Sequence, residues 1–220
     1  VFPSIDEFIS ELKDGFMPKL SENIAQRALV CGVDTMYGTE VCKALKLQNW
    51  EVVTVGGLGD GMPQAHEGLF DTVVINAATD RANTSFLELE DQEFFDRCVT
   101  GLSDLFITLQ EVSKRLRSGG SMVVIGSRAY AGMWYGADRA AWSAALIGLC
   151  RSLAIEFKAD QKRVNVICPE LTDRPPSEQV VQSVASTAVF LASQGSVGIN
   201  GEHFVVDNAA SLQMKEARQR

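Results

Sequence analysis

Between Ala28 and Val206, short and almost wholly apolar runs alternate with segments of helical period. That alternation constrains the fold more than any other feature. Ala28-Leu29-Val30-Cys31 is closed by Gly32, a helix opened by Gly38 runs through Leu45, and Glu51-Val52-Val53-Thr54-Val55 follows. Strand, glycine-bearing turn, helix, strand is a βαβ unit. Further strands are expected at Thr72–Asn76, Ser121–Gly126, Arg163–Cys168 and Glu202–Val206. Helices are expected at Asp91–Leu116, Ala137–Phe157 and Ser177–Leu191. Strands that are apolar on both faces belong in a parallel sheet covered on both sides by helices. The expected architecture is therefore α/β, a doubly wound parallel sheet of Rossmann type.

The length of 220 residues suits one such domain, placed at residues 28–212, with a tail at 213–220. Ahead of it, residues 1–27 read as a helical arm. Ser4-Ile5-Asp6-Glu7 has capping-box form, Phe8, Ile9 and Leu12 share one helical face, and Gly15 and Pro18 end the helix. No charged-then-apolar leader opens the sequence, and Val1 in place of a methionine implies a gene product that starts earlier.

Composition narrows the function. With a net charge of −8 there is no basic face to neutralise nucleic-acid phosphates. The one basic cluster, Lys114-Arg115-Leu116-Arg117, falls at an expected helix end, where cations offset the dipole. The longest apolar run, Ala140–Cys150, is well short of the roughly 20 residues of a membrane span. Five scattered cysteines without C-x-x-C spacing, and only two histidines, indicate buried reduced thiols in a cytoplasmic protein rather than a metal site or a disulfide framework. His66 reads as a loop histidine.

Several segments in order resemble the short-chain dehydrogenase/reductase (SDR) family across residues 28–208. Asp71-Thr72-Val73-Val74-Ile75-Asn76-Ala77-Ala78 is similar to its D-x-L-V-N-N-A-G strand, and Gly119–Ser127 to G-x-I-V-x-x-S-S. Ala144–Leu149, continuing to Glu156, is similar to the helix bearing the catalytic Tyr and Lys, and Arg163–Pro169 to R-V-N-x-I-x-P-G. Val189–Ser193, Ile199-Asn200-Gly201 and Val205-Val206-Asp207 repeat the carboxy-terminal pattern. The resemblance implies the SDR sheet, NAD(P) as cofactor, and oligomers built through the Ala137–Phe157 helix, its long predecessor and the last strand.

The chemistry implied by the family is largely missing. Its turn T-G-x-x-x-G-x-G, which cradles the pyrophosphate, reads Cys31-Gly32-Val33-Asp34-Thr35-Met36-Tyr37-Gly38. The middle glycine is Met36, and Asp34 adds a like charge. Gly32, Gly38 and Asn76 are the cofactor-site remnants. Between the second strand and the Thr72 strand the family has a helix, a third strand and an adenine clamp. Here Gly56–Phe70 offers five glycines and a proline, so that region is expected to be shortened.

Alignment puts Arg139 at the Tyr position, Ser143 at the Lys position and Gly101 at the Asn position; Ser127 alone fits its role. Arg139 cannot release a proton near neutral pH and Ser143 carries no charge, so neither replaces the acid/base pair. After Pro169-Glu170 the segment runs almost directly into a helix, without the family's long lid.

The resulting expectation is a non-catalytic subunit, with no cofactor unless the altered turn still takes NAD(P). It would pair as a homo- or hetero-oligomer, through the SDR-type helix face, with an active SDR chain that it stabilises or regulates. The family offers 3-hydroxyacyl-CoA-type dehydrogenases of anaerobic aromatic degradation and split ketoacyl reductases as settings. Trp142, Ala145, Leu146 and Leu149 are the candidate interface residues. The alternatives are an enzyme with relocated groups, Ser127 with Tyr130 or Tyr135, and a small-ligand binding module. Tyr135 and Arg139 have the Y-x-x-x-R spacing of halohydrin dehalogenases, but Ser127 and Tyr135 lie only eight positions apart, against about a dozen in those enzymes.

Overall fold

The computed structural model describes residues 26–58, 68–78, 83–170 and 176–209. The expected amino-terminal arm, the tail, most of the Gly56–Phe70 segment, His66 and most of the segment after Glu170 lie outside the described residues. The described strands are β1 (Arg27–Cys31), β2 (Glu51–Val55), β3 (Phe70–Asn76), β4 (Leu116–Ile125), β5 (Arg163–Pro169) and β6 (His203–Val206). They form one all-parallel sheet in the order β2-β1-β3-β4-β5-β6. The helices are α1 (Met36–Leu47), α2 (Asp91–Phe95), α3 (Gly101–Ser113), α4 (Ala137–Glu156) and α5 (Glu178–Ala192).

The strand pleat distributes the core. On one face Leu29, Val73, Ile75, Met122, Val124 and Val166 pack against Leu105 and Leu109 of α3 and Leu146 and Cys150 of α4. On the other face Ala28, Val30, Val74, Val123, Ile125 and Ile167 pack against Val41 and Leu45 of α1 and Val184, Ala188 and Leu191 of α5. Successive side chains of one strand thus serve opposite layers. Each large aliphatic side chain taken fully out of water contributes about 1.5–3 kcal/mol. Among the described residues the crossovers after β1, β3, β4 and β5 are helical, because parallel neighbours must be joined end to end. Ser177 caps α5 by accepting from the Val180 N–H, and Thr35 caps α1 by accepting from the Gly38 N–H.

Four expectations shift. The helix read as Asp91–Leu116 is two helices joined by a π-helical turn, Asp96–Thr100, and it stops at Ser113. Leu116 and Arg117 belong to β4, whose pairing with β3 is irregular between Phe70 and Thr72. The basic cluster is accordingly divided. Lys114 pairs with Glu111 across one helical turn, while Arg117 binds Asp71, which also accepts from the Arg27 N–H. Finally, α4 with the turn that follows it, Ala137–Asp160, is long and apolar enough to cross a membrane by length and composition. In this fold its inner face packs against the sheet through Trp142, Leu146, Cys150 and Ala154.

Arg163 shows how the sheet is anchored at its far end. Its guanidinium is buried, and Nη1 donates to the Leu191 and Ser196 carbonyls and the Ser196 hydroxyl, while Nη2 donates to the Ser193 carbonyl. The Leu191 and Ser193 carbonyls end α5, where helical backbone leaves acceptors without intrahelical partners, and Ser196 closes the 3₁₀ turn that follows. Burial lowers the Arg163 pKa from its ordinary value.

Candidate functional site

The strand order reverses between β1 and β3, and in open α/β sheets ligands sit beyond the carboxyl ends of the strands at such a reversal. The turn after β1 lies there. Gly32 has φ +80° and donates its N–H to the Gly56 carbonyl at 2.6 Å. Thr35 Oγ1 donates to the Gly32 carbonyl (3.0 Å), accepts from the Gly38 N–H (3.1 Å) and accepts from Asn76 Nδ2 (2.6 Å). The three cofactor-site remnants, Gly32, Gly38 and Asn76, are therefore brought together, around a threonine hydroxyl that sequence reasoning passed over.

A dinucleotide pyrophosphate needs open N–H groups at the helix start and no side chain in the way. Here Met36 is the first residue of α1, with its side chain half exposed, and Asp34 lies exposed in the turn. The Gly38 N–H is already taken by Thr35. Residue 56, just past β2, is a glycine, with no side chain to hold a ribose. The turn thus differs from the family's pyrophosphate cradle at Asp34 and Met36.

The positions aligned with the SDR catalytic groups are engaged in other interactions. Ser127 follows β4 and caps the 3₁₀ turn Arg128–Ala131, its hydroxyl accepting from the Ala129 N–H. Arg139, in the first turn of α4, donates from Nη1 to Asn83 Oδ1 at 2.8 Å. Ser143 is buried. Gly101 begins α3 directly beneath the indole of Trp142. A Cβ at Gly101 would stand 3.3 Å from Trp142 Nε1, so that ring occupies the space toward which a side chain at 101 would grow.

Of the Tyr residues of the relocated-group reading, Tyr130 is engaged elsewhere. The Tyr130 hydroxyl meets His203 Nε2 at 3.1 Å on edge strand β6, with the two rings edge to face. Burial holds the Tyr130 phenol above its ordinary pKa, which makes it a poor base near neutral pH. Tyr135 lies in left-handed backbone at φ +55°, exposed to solvent.

One polar element had no sequence signal. Asp138, at the start of α4, is 1% exposed and accepts from Arg97 of the π-helical turn at 2.7 Å; Arg97 also pairs with Glu93. The hydrogen bond that Arg97 donates to Asp138, and the charges of Asp138 and Glu93, raise the Arg97 pKa against the effect of burial. The Cys98 thiol donates to the Asp138 carbonyl. From sequence, Asp138 is only an acid suited to a helix N-terminus.

The outer side of α3 and α4 carries a groove of 660 Å³. Its lining includes Val99 of the π-helical turn, Phe106 and Ile107 on α3, and Trp142, Ala145 and Leu149 on α4. Phe106 and Ile107 are 46% and 53% exposed. Of the expected interface residues, Trp142, Ala145 and Leu149 line the groove, whereas Leu146 is fully buried in the core. Val99, Leu102 and Phe106, at i, i+3 and i+7, form an apolar stripe that helical periodicity could have revealed.

The thiols are chemically quiet. Burial pushes Cys31, Cys150 and Cys168 up to about 12, and raises Cys42 and Cys98 as well. A raised folded pKa contributes stability that is present below the unfolded thiol pKa and is lost as pH climbs toward the folded value. Stability is therefore expected to fall between about pH 9 and pH 12, by up to about 1.4 kcal/mol per pH unit for each such thiol. Labelling by an aromatic disulfide at pH 8 should be slow in the native chain and fast in urea. Rapid native labelling of all five would contradict this burial.

Comparison with known proteins agrees with the geometry of the sheet. A family model described as Enoyl-(Acyl carrier protein) reductase, of the short-chain alcohol dehydrogenase group, matches residues 62–183, just over half of the chain. A 3beta-hydroxysteroid dehydrogenase of Mediterraneibacter gnavus is 31% identical over 136 residues, covering 60% of this chain and 49% of that protein. The Oxidoreductase UcpA of Salmonella typhimurium is 26% identical over 179 residues, 66% of this chain and 67% of that protein. The chain thus spans about half to two thirds of the length of these relatives.

Among solved structures, a short-chain dehydrogenase/reductase from Serratia marcescens superposes with a TM-score of 0.73 at 21% identity, covering 84% of this chain and 97% of that one. One from Brucella melitensis gives 0.69 at 16% identity, covering 86% and 97%. Sheet order, helix layers and the matched segment together establish that the chain belongs to the short-chain dehydrogenase/reductase family.

Proposed function

We propose that this chain is a catalytically incomplete SDR subunit. It assembles through the α3–α4 face with an active SDR chain and stabilises or regulates that partner, in the cytoplasm. The observation that carries the reading is the use made of the catalytic positions. Arg139 is bonded to Asn83, Ser143 is buried, and the space at Gly101 is filled by Trp142. None of these supplies a proton donor with a pKa near neutrality or a cation beside one, and general acid–base catalysis requires such a pair. Ser127 remains, and a hydroxyl that polarises a carbonyl has no reaction to assist without them. The chain itself binds no dinucleotide, and the active partner supplies that function.

SDR proteins commonly form oligomers, and the α3–α4 groove offers the apolar, aromatic-bearing surface that protein interfaces favour. Phe106→Glu places a charge where a partner helix would bury it. It is expected to weaken assembly at least a hundredfold, read by native mass spectrometry and sedimentation of the protein purified from its source. Calorimetry with NADH and NADPH should show no binding by the isolated chain at micromolar concentrations. Turnover of a ketone by the isolated chain with either nucleotide would overturn the reading. So would purification from source as a homo-oligomer free of any second SDR chain.

A further inference from the structure

Two segments lie near the carboxyl ends of neighbouring strands beside the β1/β3 reversal: the loop at residues 83–90, between β3 and α2, and residues 126–136 after β4. Hydrogen bonds join them at adjacent points. The Thr84 N–H donates to the Tyr135 carbonyl at 2.8 Å, and Arg139 Nη1, four residues further along, donates to Asn83 Oδ1 at 2.8 Å. Consecutive residues of one loop are thus held by a backbone carbonyl and a guanidinium from the other side.

The second loop is shaped to make this contact. Tyr135 has φ +55°, a left-handed conformation that side-chain-bearing residues seldom adopt. Met133 folds back so closely under Gly136 that a Cβ there would lie 2.4 Å from the Met133 sulfur. Left-handed non-glycine backbone persists where surrounding contacts over-determine it. Trp134, Tyr135, Phe86 and Leu87 lie exposed around the tie.

We propose that Arg139 and Asn83 form a strap that fixes the 83–90 loop to the entrance of α4 and narrows the crevice at the strand ends from that side. Arg139 stands where the family resemblance puts the catalytic tyrosine, and it acts here as a tether between loops. The planar fork of arginine suits this role, because it directs several donors at fixed angles, which a lysine ammonium does not. The strap goes beyond the subunit reading and does not depend on it: the contact belongs to this chain alone, whatever the partner.

The test is amide hydrogen exchange on the full chain, with Thr84 as reporter and Val74 and Val124 of the core strands as controls. Arg139→Ala and Asn83→Ala are each expected to raise Thr84 exchange about tenfold while the controls stay unchanged. The double variant should exceed the larger single effect by no more than about twofold, and Arg139→Lys should fall between wild type and Arg139→Ala. If Arg139→Ala loses core protection as well, Asn83→Ala decides the matter, since Asn83 lies in a loop outside the core. Thr84 exchange within twofold of wild type in Asn83→Ala, or single effects that multiply in the double variant, would overturn the strap.

Discussion

Asp138→Ala is expected to destabilise the chain by about 3 kcal/mol or more, because it strands a guanidinium in the interior. Arg97 is only 12% exposed, and its pair with Asp138 at 2.7 Å is more buried than its second pair, with Glu93. Removing Asp138 leaves the half-exposed Glu93 as a partial substitute, which sets the loss near the low end of the range for broken buried pairs. The pair itself adds little net stability. Asp138 Oδ1 is buried without a hydrogen-bond partner, so part of the cost of desolvating the carboxylate is not offset. An Arg97→Met, Asp138→Leu double variant should therefore recover most of the loss. Urea unfolding of the two singles and the double measures this. A loss below about 1 kcal/mol for Asp138→Ala, or a double variant as unstable as the sum of the singles, would show that the pair is not the buried element described above.

Gly38→Ala is expected to be about as damaging, at about 3 kcal/mol or more, and to act on the fold rather than on any ligand. A Cβ there would lie 2.3 Å from the Gly32 carbonyl oxygen and 2.8 Å from the Val33 Cα. Both are backbone atoms, so relief requires the turn itself to open. Gly148→Ala on α4 is the internal contrast. A Cβ there meets nothing within 4 Å, and the change should stabilise the free chain by about 0.5–1 kcal/mol through helix propensity. Thermal unfolding of both variants compares them, and a Gly38→Ala protein that melts like wild type would refute the packing argument. The consequence reaches function. Gly32 would likewise bring a Cβ to 2.7 Å from the Asn76 carbonyl. Both glycines are required by how β1, α1 and β3 pack, so their survival in the turn says nothing in favour of a bound dinucleotide.

Much of the architecture was legible because it is written in local periodicity. Val73 and Val74, or Val123 and Val124, are adjacent apolar residues that could only be buried on both sheet faces, and they pack into the two separate cores. The π-helical turn at Asp96–Thr100 was not legible. Its residues continue a helical pattern, and the extra residue per turn is held by tertiary contacts such as that between Arg97 and Asp138. Leu116 read as a helix end because an apolar residue in one position suits either period. Its pairing with Phe70 across the sheet decided the matter.

For the candidate site the division runs differently. The residue types at 139 and 143 were enough to raise the expectation that the acid/base pair of the family is missing, since proton chemistry depends on the side chain present. What those side chains do instead was decided only by the tertiary structure. Arg139 reaches a loop 56 positions away in sequence, and Trp142 covers Gly101 across a helix–helix contact. Thr35 ties the β1 turn to Asn76 of β3. The same holds for Leu146 and Phe106, both apolar helix residues: one is sealed in the core and the other stands in an open groove. Strand and helix patterns follow from interactions between near neighbours in the chain. A distant partner, and the face of a helix left uncovered, follow only from how the layers pack, because those contacts form between segments whose sequences carry no record of one another.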